Sequence, residues 1–229
     1  AMQVAMHRMQ TRMLSAKAFF FSAFVAAFAL TAAPSAEAQQ KVQIGCTATS
    51  DCASAMIAID EGIFKRLGLD AEMSNSIQIG GPTTPVFLQA ADGGLDLVAV
   101  AGASIMNERT SNLTTGFVRT GVNVKEAKDF VGKKVGAPGL GAFLHVLFVR
   151  WLAEKGVDPK SVNFVEVSFP TMNDILKSGA VDAVLTSEPF VTRMTNAGTG
   201  YAAVRYVADL KRTEPIIFYA ASREWATKN

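Results

Sequence analysis

Lys133-Lys134-Val135-Gly136-Ala137-Pro138-Gly139-Leu140-Gly141 and, further along, Val181-Asp182-Ala183-Val184-Leu185-Thr186-Ser187-Glu188-Pro189-Phe190 are the two stretches that decide the fold of this chain. Each ends a short β-branched or apolar run, meets glycine or proline, and opens a helical pattern, so each reads as a strand-to-helix turn of one α/β unit. Such turns leave the first backbone N–H groups of a helix bare at the carboxyl edge of a parallel sheet, where small anions bind. Two of them on one unit make one wall of a ligand cleft.

Outward from these turns, strands over 134–137, 162–167 and 180–186 alternate with helices over 142–155, 171–177 and 189–196. Upstream, a strand over 41–45 precedes a helix over 52–67, with Thr49, Ser50 or Asp51 as its cap and Gly68 as its stop. Strands over 69–73 and 77–80 and a helix over 83–91 follow, and the continuous apolar run 95–101 predicts a strand buried on both faces. A strand over 115–119 leads away from this first unit, and a last strand over 215–221 returns. The alternation predicts an α/β class with parallel sheets.

The chain has 229 residues, 49% of them hydrophobic. Its first 38 read as an address: His7, Arg8, Arg12 and Lys17 form a basic region, Ala18 to Leu30 is apolar, and Ala36-Glu37-Ala38 is a small-x-small cleavage pattern. The alternative, a membrane anchor, is disfavoured because the apolar run falls short of about 20 residues. Residues 1–38 are therefore expected to be a signal peptide for the periplasm. Arg8, Arg12 and Lys17, against the single acid Glu37, carry away the formal charge of +2, leaving the mature chain near neutral. A neutral chain offers no electrostatic footprint for nucleic acid or an anionic membrane, so a small molecule or a protein is the expected partner. In an oxidising compartment Cys46 and Cys52 are expected to close a small loop, the alternative being two buried thiols. With His145 as the one histidine of the mature chain and no ligand spacing, no metal or cofactor is expected.

The segments Gly62-Ile63-Phe64-Lys65-Arg66-Leu67-Gly68-Leu69-Asp70, Ala127-Lys128-Asp129-Phe130-Val131-Gly132-Lys133-Lys134-Val135-Gly136, the Pro138 to Gly141 turn, Gly179-Ala180-Val181-Asp182-Ala183-Val184 and Glu188-Pro189-Phe190 resemble one family. It is the nitrate/sulfonate/taurine-type substrate-binding proteins of ATP-binding-cassette importers, a branch of the type II periplasmic binding proteins that also contains thiamine-precursor binders. The resemblance implies a two-lobed, hinged, non-catalytic receptor that closes on one small anionic or zwitterionic organic solute and presents it to a permease in the inner membrane. Lobe 1 is expected over 39–118 with a return segment over 212–229, and lobe 2 over 119–211.

Two departures from the family pattern bear on the first lobe. Only Ser74-Asn75-Ser76 separates Met73 from Ile77 where the family places further elements, and three residues can join only antiparallel neighbours or continue one irregular strand. The chain also stops at Asn229, where family members continue. An internally deleted, C-terminally truncated member with an incomplete first lobe is expected, with exposed apolar surface and a possible homodimer covering it.

Candidate ligand-binding residues lie at the turns. On the first lobe they are Thr49, Ser50 and Asp51, and then Gly81, Thr83 and Thr84, with helix capping as the alternative role. Asp51 caps or selects a cationic portion, since a carboxylate repels an anion. On the second lobe they are Gly139, Leu140 and Gly141, and then Thr186, Ser187 and Glu188. Glu188 is equally suited to meeting a helix dipole, whereas Phe143 is expected in the core before the wall and His145 as a packed side chain before a cleft residue. Two other functions compete: a non-transporting fragment or ligand sensor, and a thiamine-pyrimidine biosynthesis enzyme. The enzyme is disfavoured because hydrolase motifs, a Walker loop and a cysteine-rich site are absent from the sequence.

Overall fold

The computed structural model describes residues 39–47 and 49–229. The signal peptide expected over 1–38 lies outside the described residues. In chain order the strands are β1 (Gln40–Gly45), β2 (Leu69–Met73), β3 (Ile79–Gly80), β4 (Leu97–Met106), β5 (Thr114–Arg119), β6 (Lys134–Ala137), β7 (Asn163–Glu166), β8 (Ala183–Ser187), β9 (Gly200–Val204) and β10 (Glu214–Ser222). The α-helices are α1 (Ala53–Asp60), α2 (Ile63–Arg66), α3 (Thr84–Asp92), α4 (Phe143–Glu154), α5 (Met172–Lys177), α6 (Phe190–Asn196), α7 (Tyr206–Asp209) and α8 (Arg223–Lys228).

Two sheets result, ordered β2-β1-β3-β10-β4 and β7-β6-β8-β5-β9. In the first, β2 and β3 flank β1 in parallel and β10 returns antiparallel to β3 and β4. In the second, β7 and β8 flank β6 in parallel while β5 runs antiparallel to β8 and β9. The chain therefore passes between sheets twice, over 107–113 and over 205–213. Strand β5, expected at the end of lobe 1, is an inner strand of the second sheet, because the crossover comes before Thr114 and not after residue 118.

The second sheet is buried on both faces by the alternation of its inner strands. Val118, Ala183 and Leu185 join Phe130, Phe148, Trp151 and Leu152 in one cluster. Their neighbours Phe117 and Val184 join Met172, Leu176, Phe190 and Met194 in another. The first sheet has one small cluster, Val42, Ile44, Ala55 and Ala71, under α1. That contrast corrects the expectation for 95–101: β4 is an edge strand whose Val100 is 46% exposed and whose Ile105 is 54% exposed.

The short link after β2 resolves differently from either option the sequence allows. Ser74 N–H donates to the Ile44 carbonyl and Gln78 N–H to the Gln43 carbonyl, both at 3.0 Å, so residues 74–78 pass from one side of β1 to the other. They do so over Gly45, where a Cβ would overlap the Ile77 side chain. Because β3 meets β1 only at Ile44 and Gly45, the end of that strand, it needs no full crossover to run parallel. The helix expected over 52–67 breaks into α1 and α2 at Gly62, whose φ of 64° is left-handed.

Candidate functional site

The carboxyl ends of β1 and β3 in one sheet and of β6 and β8 in the other border a cavity of about 240 Å³. From the first sheet come Thr47, Thr49 and Asp51 after β1, and Gly81, Pro82, Thr83 and Val86 around the start of α3. From the second come Pro138, Ala142, Phe143 and Leu144 at the start of α4, Phe169 before α5, and Ser187 at the end of β8. Ile216 and Ile217 of β10 close the floor.

The first wall is pinned by a disulfide. Cys46 and Cys52 are bonded with their Cα atoms 6.1 Å apart, a normal span, and close the loop that carries Thr49 and Asp51. The Cys46 sulfur lies against Gly81, where any Cβ would overlap it. The turns after β1 and β3 are thereby held together.

Among the described residues Asp51 is the one titratable side chain of the lining. Burial raises its carboxyl above the ordinary carboxylate range, while the hydroxyls of Ser104 and Thr49 pull it back. The Thr49 hydroxyl donates to Oδ2 at 3.5 Å. Thr83 caps α3 in extended conformation without a side-chain capping bond, and its Oγ1 is buried with no partner among the described residues. A buried hydroxyl left unpaired beside a cavity marks a place for a ligand atom.

The other candidates divide. Ser187 lines the cavity, its hydroxyl donating to the Leu113 carbonyl at 3.1 Å. Ser50 borders an adjoining hollow with Asp51 and Ser104, and its N–H reaches the Glu188 carbonyl across the cleft at 3.4 Å. Thr84, Gly139, Leu140, Gly141, Thr186 and Glu188 lie outside the cavity lining. Thr84 is spent on tying α3 to β10, its hydroxyl donating to the Pro215 carbonyl at 2.7 Å. Leu140 projects outward, while the Gly141 carbonyl accepts from Gln89 Nε2 at 3.1 Å, a bond between the two lobes. Thr186 is sealed within β8. Glu188 caps α6, its carboxylate accepting from the Thr192 N–H at 3.1 Å and the Thr192 hydroxyl at 2.9 Å. His145 holds the glycine turn, Nδ1 accepting from the Gly141 N–H at 3.0 Å, and burial keeps its imidazole below its ordinary pKa.

Sequence reasoning missed Val86, Leu144, Phe169, Ile216 and Ile217. Phe169 follows β7, a parallel neighbour of β6, so its strand end shares the cleft edge and the same turn rule would have found it. It stacks on Phe190 with centroids 5.2 Å apart. No local signal marks the isoleucines, which the return strand brings in from far along the chain.

The model of the NMT1-like family matches residues 109–229, more than half of the chain. The chain belongs to the NMT1-like family. The matched span holds the whole second sheet and the return strand, the part of this NMT1-like protein with the deepest core. The nitrate/nitrite binding protein NrtA of Synechococcus elongatus is 24% identical, over 82% of this chain and 50% of that protein. The NMT1-like chain thus spans about half the length of the curated relative it matches. Among solved structures, the periplasmic aliphatic sulphonate binding protein SsuA from Escherichia coli matches with a TM-score of 0.63 at 20% identity, over 83% of this chain and 67% of that one. The desulfurization enzyme DSZB matches with a TM-score of 0.58 at 12% identity, over 80% of this chain and 69% of that one. The fold is that of the type II periplasmic binding proteins, and it carries both binders and an enzyme.

Proposed function

We propose that this NMT1-like chain captures a small organic solute between its two lobes as the binding component of an ATP-binding-cassette importer, acting in the periplasm and delivering to a permease. The observation that carries the reading is the cavity of about 240 Å³ bordered by the strand ends of both sheets. Strand ends at a sheet's carboxyl edge are where open α/β sheets hold ligands. The two chain crossings, over 107–113 and 205–213, are few enough to hinge, and the contacts Gln89 to Gly141 and Ser50 to Glu188 join the lobes across the cleft. NrtA and SsuA, a nitrate/nitrite binding protein and an aliphatic sulphonate binding protein, support capture over chemistry.

Catalysis is the second reading because DSZB shares the fold. The cavity argues against it, since among the described residues its lining holds no histidine or cysteine and its one carboxylate has no titratable partner with which to pass a proton.

Native mass spectrometry of the protein as purified, followed by thermal shift with sulfonates, nitrate, aromatic acids and pyrimidines, tests the reading. A bound solute at a hundred times its Kd stabilises by about 2.7 kcal/mol, a clear rise in Tm. Folded protein that carries no ligand and responds to none of the panel would sink solute capture. N-terminal mass analysis of exported protein tests the periplasmic route, with a start near Gln39 expected.

A further inference from the structure

Resting on the solute-binding reading, we infer that the solute presents a hydrogen-bond-donating nitrogen, an amine or amidine, to Asp51, on an apolar body about the size of one ring. Among the described residues Asp51 is the only charged side chain lining the cavity, and no lysine, arginine or histidine of them lines it. Its side-chain neighbours of opposite polarity are two neutral hydroxyls, Ser104 and, at 3.5 Å, Thr49, and no ion pair among the described residues includes it. A half-buried carboxylate with no cation in reach must take up a proton or meet a positive or donating group from outside the chain. A bare nitrate or sulfonate in the same space would face that carboxylate with no side-chain cation to balance it. The starts of α3 and α4 also border the cavity, so an anionic group at the solute's other end is tolerated. The nitrogen is what the carboxylate requires.

The rest of the lining sets the body. Phe143, Leu144, Phe169, Val86 and Ile217 are apolar, and the unpaired Thr83 hydroxyl offers one further polar contact. An apolar cavity of about 150 Å³ takes benzene, so about 240 Å³ takes one ring with a short substituent or two.

Calorimetric titration of the intact protein with benzamidine and benzylamine, against benzenesulfonate, benzoate and nitrate, tests the assignment. The amines are expected to bind and the anions not, with Asp51→Asn weakening amine binding about 10- to 100-fold while leaving the far-ultraviolet dichroism unchanged. Should Asp51→Asn fail to fold, Leu144→Trp, which fills the cavity from the opposite lobe, is expected to abolish amine binding. Equal amine binding to wild type and variant overturns the inference. Anions binding while amines do not also overturns it, but leaves solute capture standing. Silence of both series overturns it too, and solute capture then rests on the carried-over ligand and the wider panel.

Discussion

Gly81 shows how tightly one residue ties the site to the scaffold. A methyl group at this position would overlap the Cys46 sulfur, which its disulfide bond prevents from moving aside. Gly81→Ala is expected to cost about 1–3 kcal/mol of stability, as overpacking does, read as a lower urea midpoint. His145 gives a second test at this scale. Burial holds its imidazole below its ordinary value of about 6.5, and its Nδ1 accepts the Gly141 N–H, so the folded state keeps it neutral. As pH falls through about 6.5 the unfolded chain takes up the proton first, so stability drops from there down to the lowered folded pKa and levels off below it. Urea midpoints between pH 7.5 and 5 should show that fall, and His145→Gln should flatten it. A fall that persists unchanged in the variant would assign it to other groups.

Among elements, the turn between β1 and α1 depends most on a covalent constraint. It presents Thr49 and Asp51, and the bond from Cys46 to Cys52 closes it. Replacing both cysteines by alanine should lower stability by about 2 kcal/mol, the closure entropy of so short a loop, and weaken solute binding along with it. Denaturation with and without reductant gives the first number, and an unchanged midpoint would deny the bond a structural role. The link after β2 carries a different lesson. Counting residues between strands ruled out a parallel crossover, and the count was right, yet it said nothing of a β3 that meets β1 only at Ile44 and Gly45, the end of that strand. A glycine over which the chain can pass was visible in the sequence, but its use was not.

Across the whole molecule the two lobes differ in how their sheets are covered. The second sheet lies between two buried clusters and the first has one, so amides of β5, β6 and β8 should exchange with solvent more slowly than those of β1 and β4. Hydrogen exchange followed by mass spectrometry reads this directly, and uniform protection across both lobes would refute the asymmetry. The exposed Val100 and Ile105 on edge strand β4 make this face prone to pairing. Sedimentation velocity should show concentration-dependent self-association that Val100→Lys reduces; a monomer at all concentrations would remove that expectation.

Local chemistry determined the elements and their order: the glycine- and proline-marked turns after β6 and β8, the period-two strands and the apolar helices could be read directly because each depends on near neighbours. The same locality identified Thr49, Asp51, Gly81, Thr83 and Ser187 as cleft residues, since each follows or ends a strand. It could not separate these from Thr84 and Glu188, which occupy equivalent positions in sequence but give their polar groups to β10 and to α6, or from Thr186, whose side chain is buried within the second sheet outside the cavity lining. Only the tertiary structure decided that β5 belongs to the second sheet, that Ile216 and Ile217 of the return strand line the cavity, and that Asp51 stands there without a cation among the described residues. The reason is physical: a strand's partners, and the charges that surround a side chain, are set by contacts between residues far apart in the chain, and no local pattern encodes them.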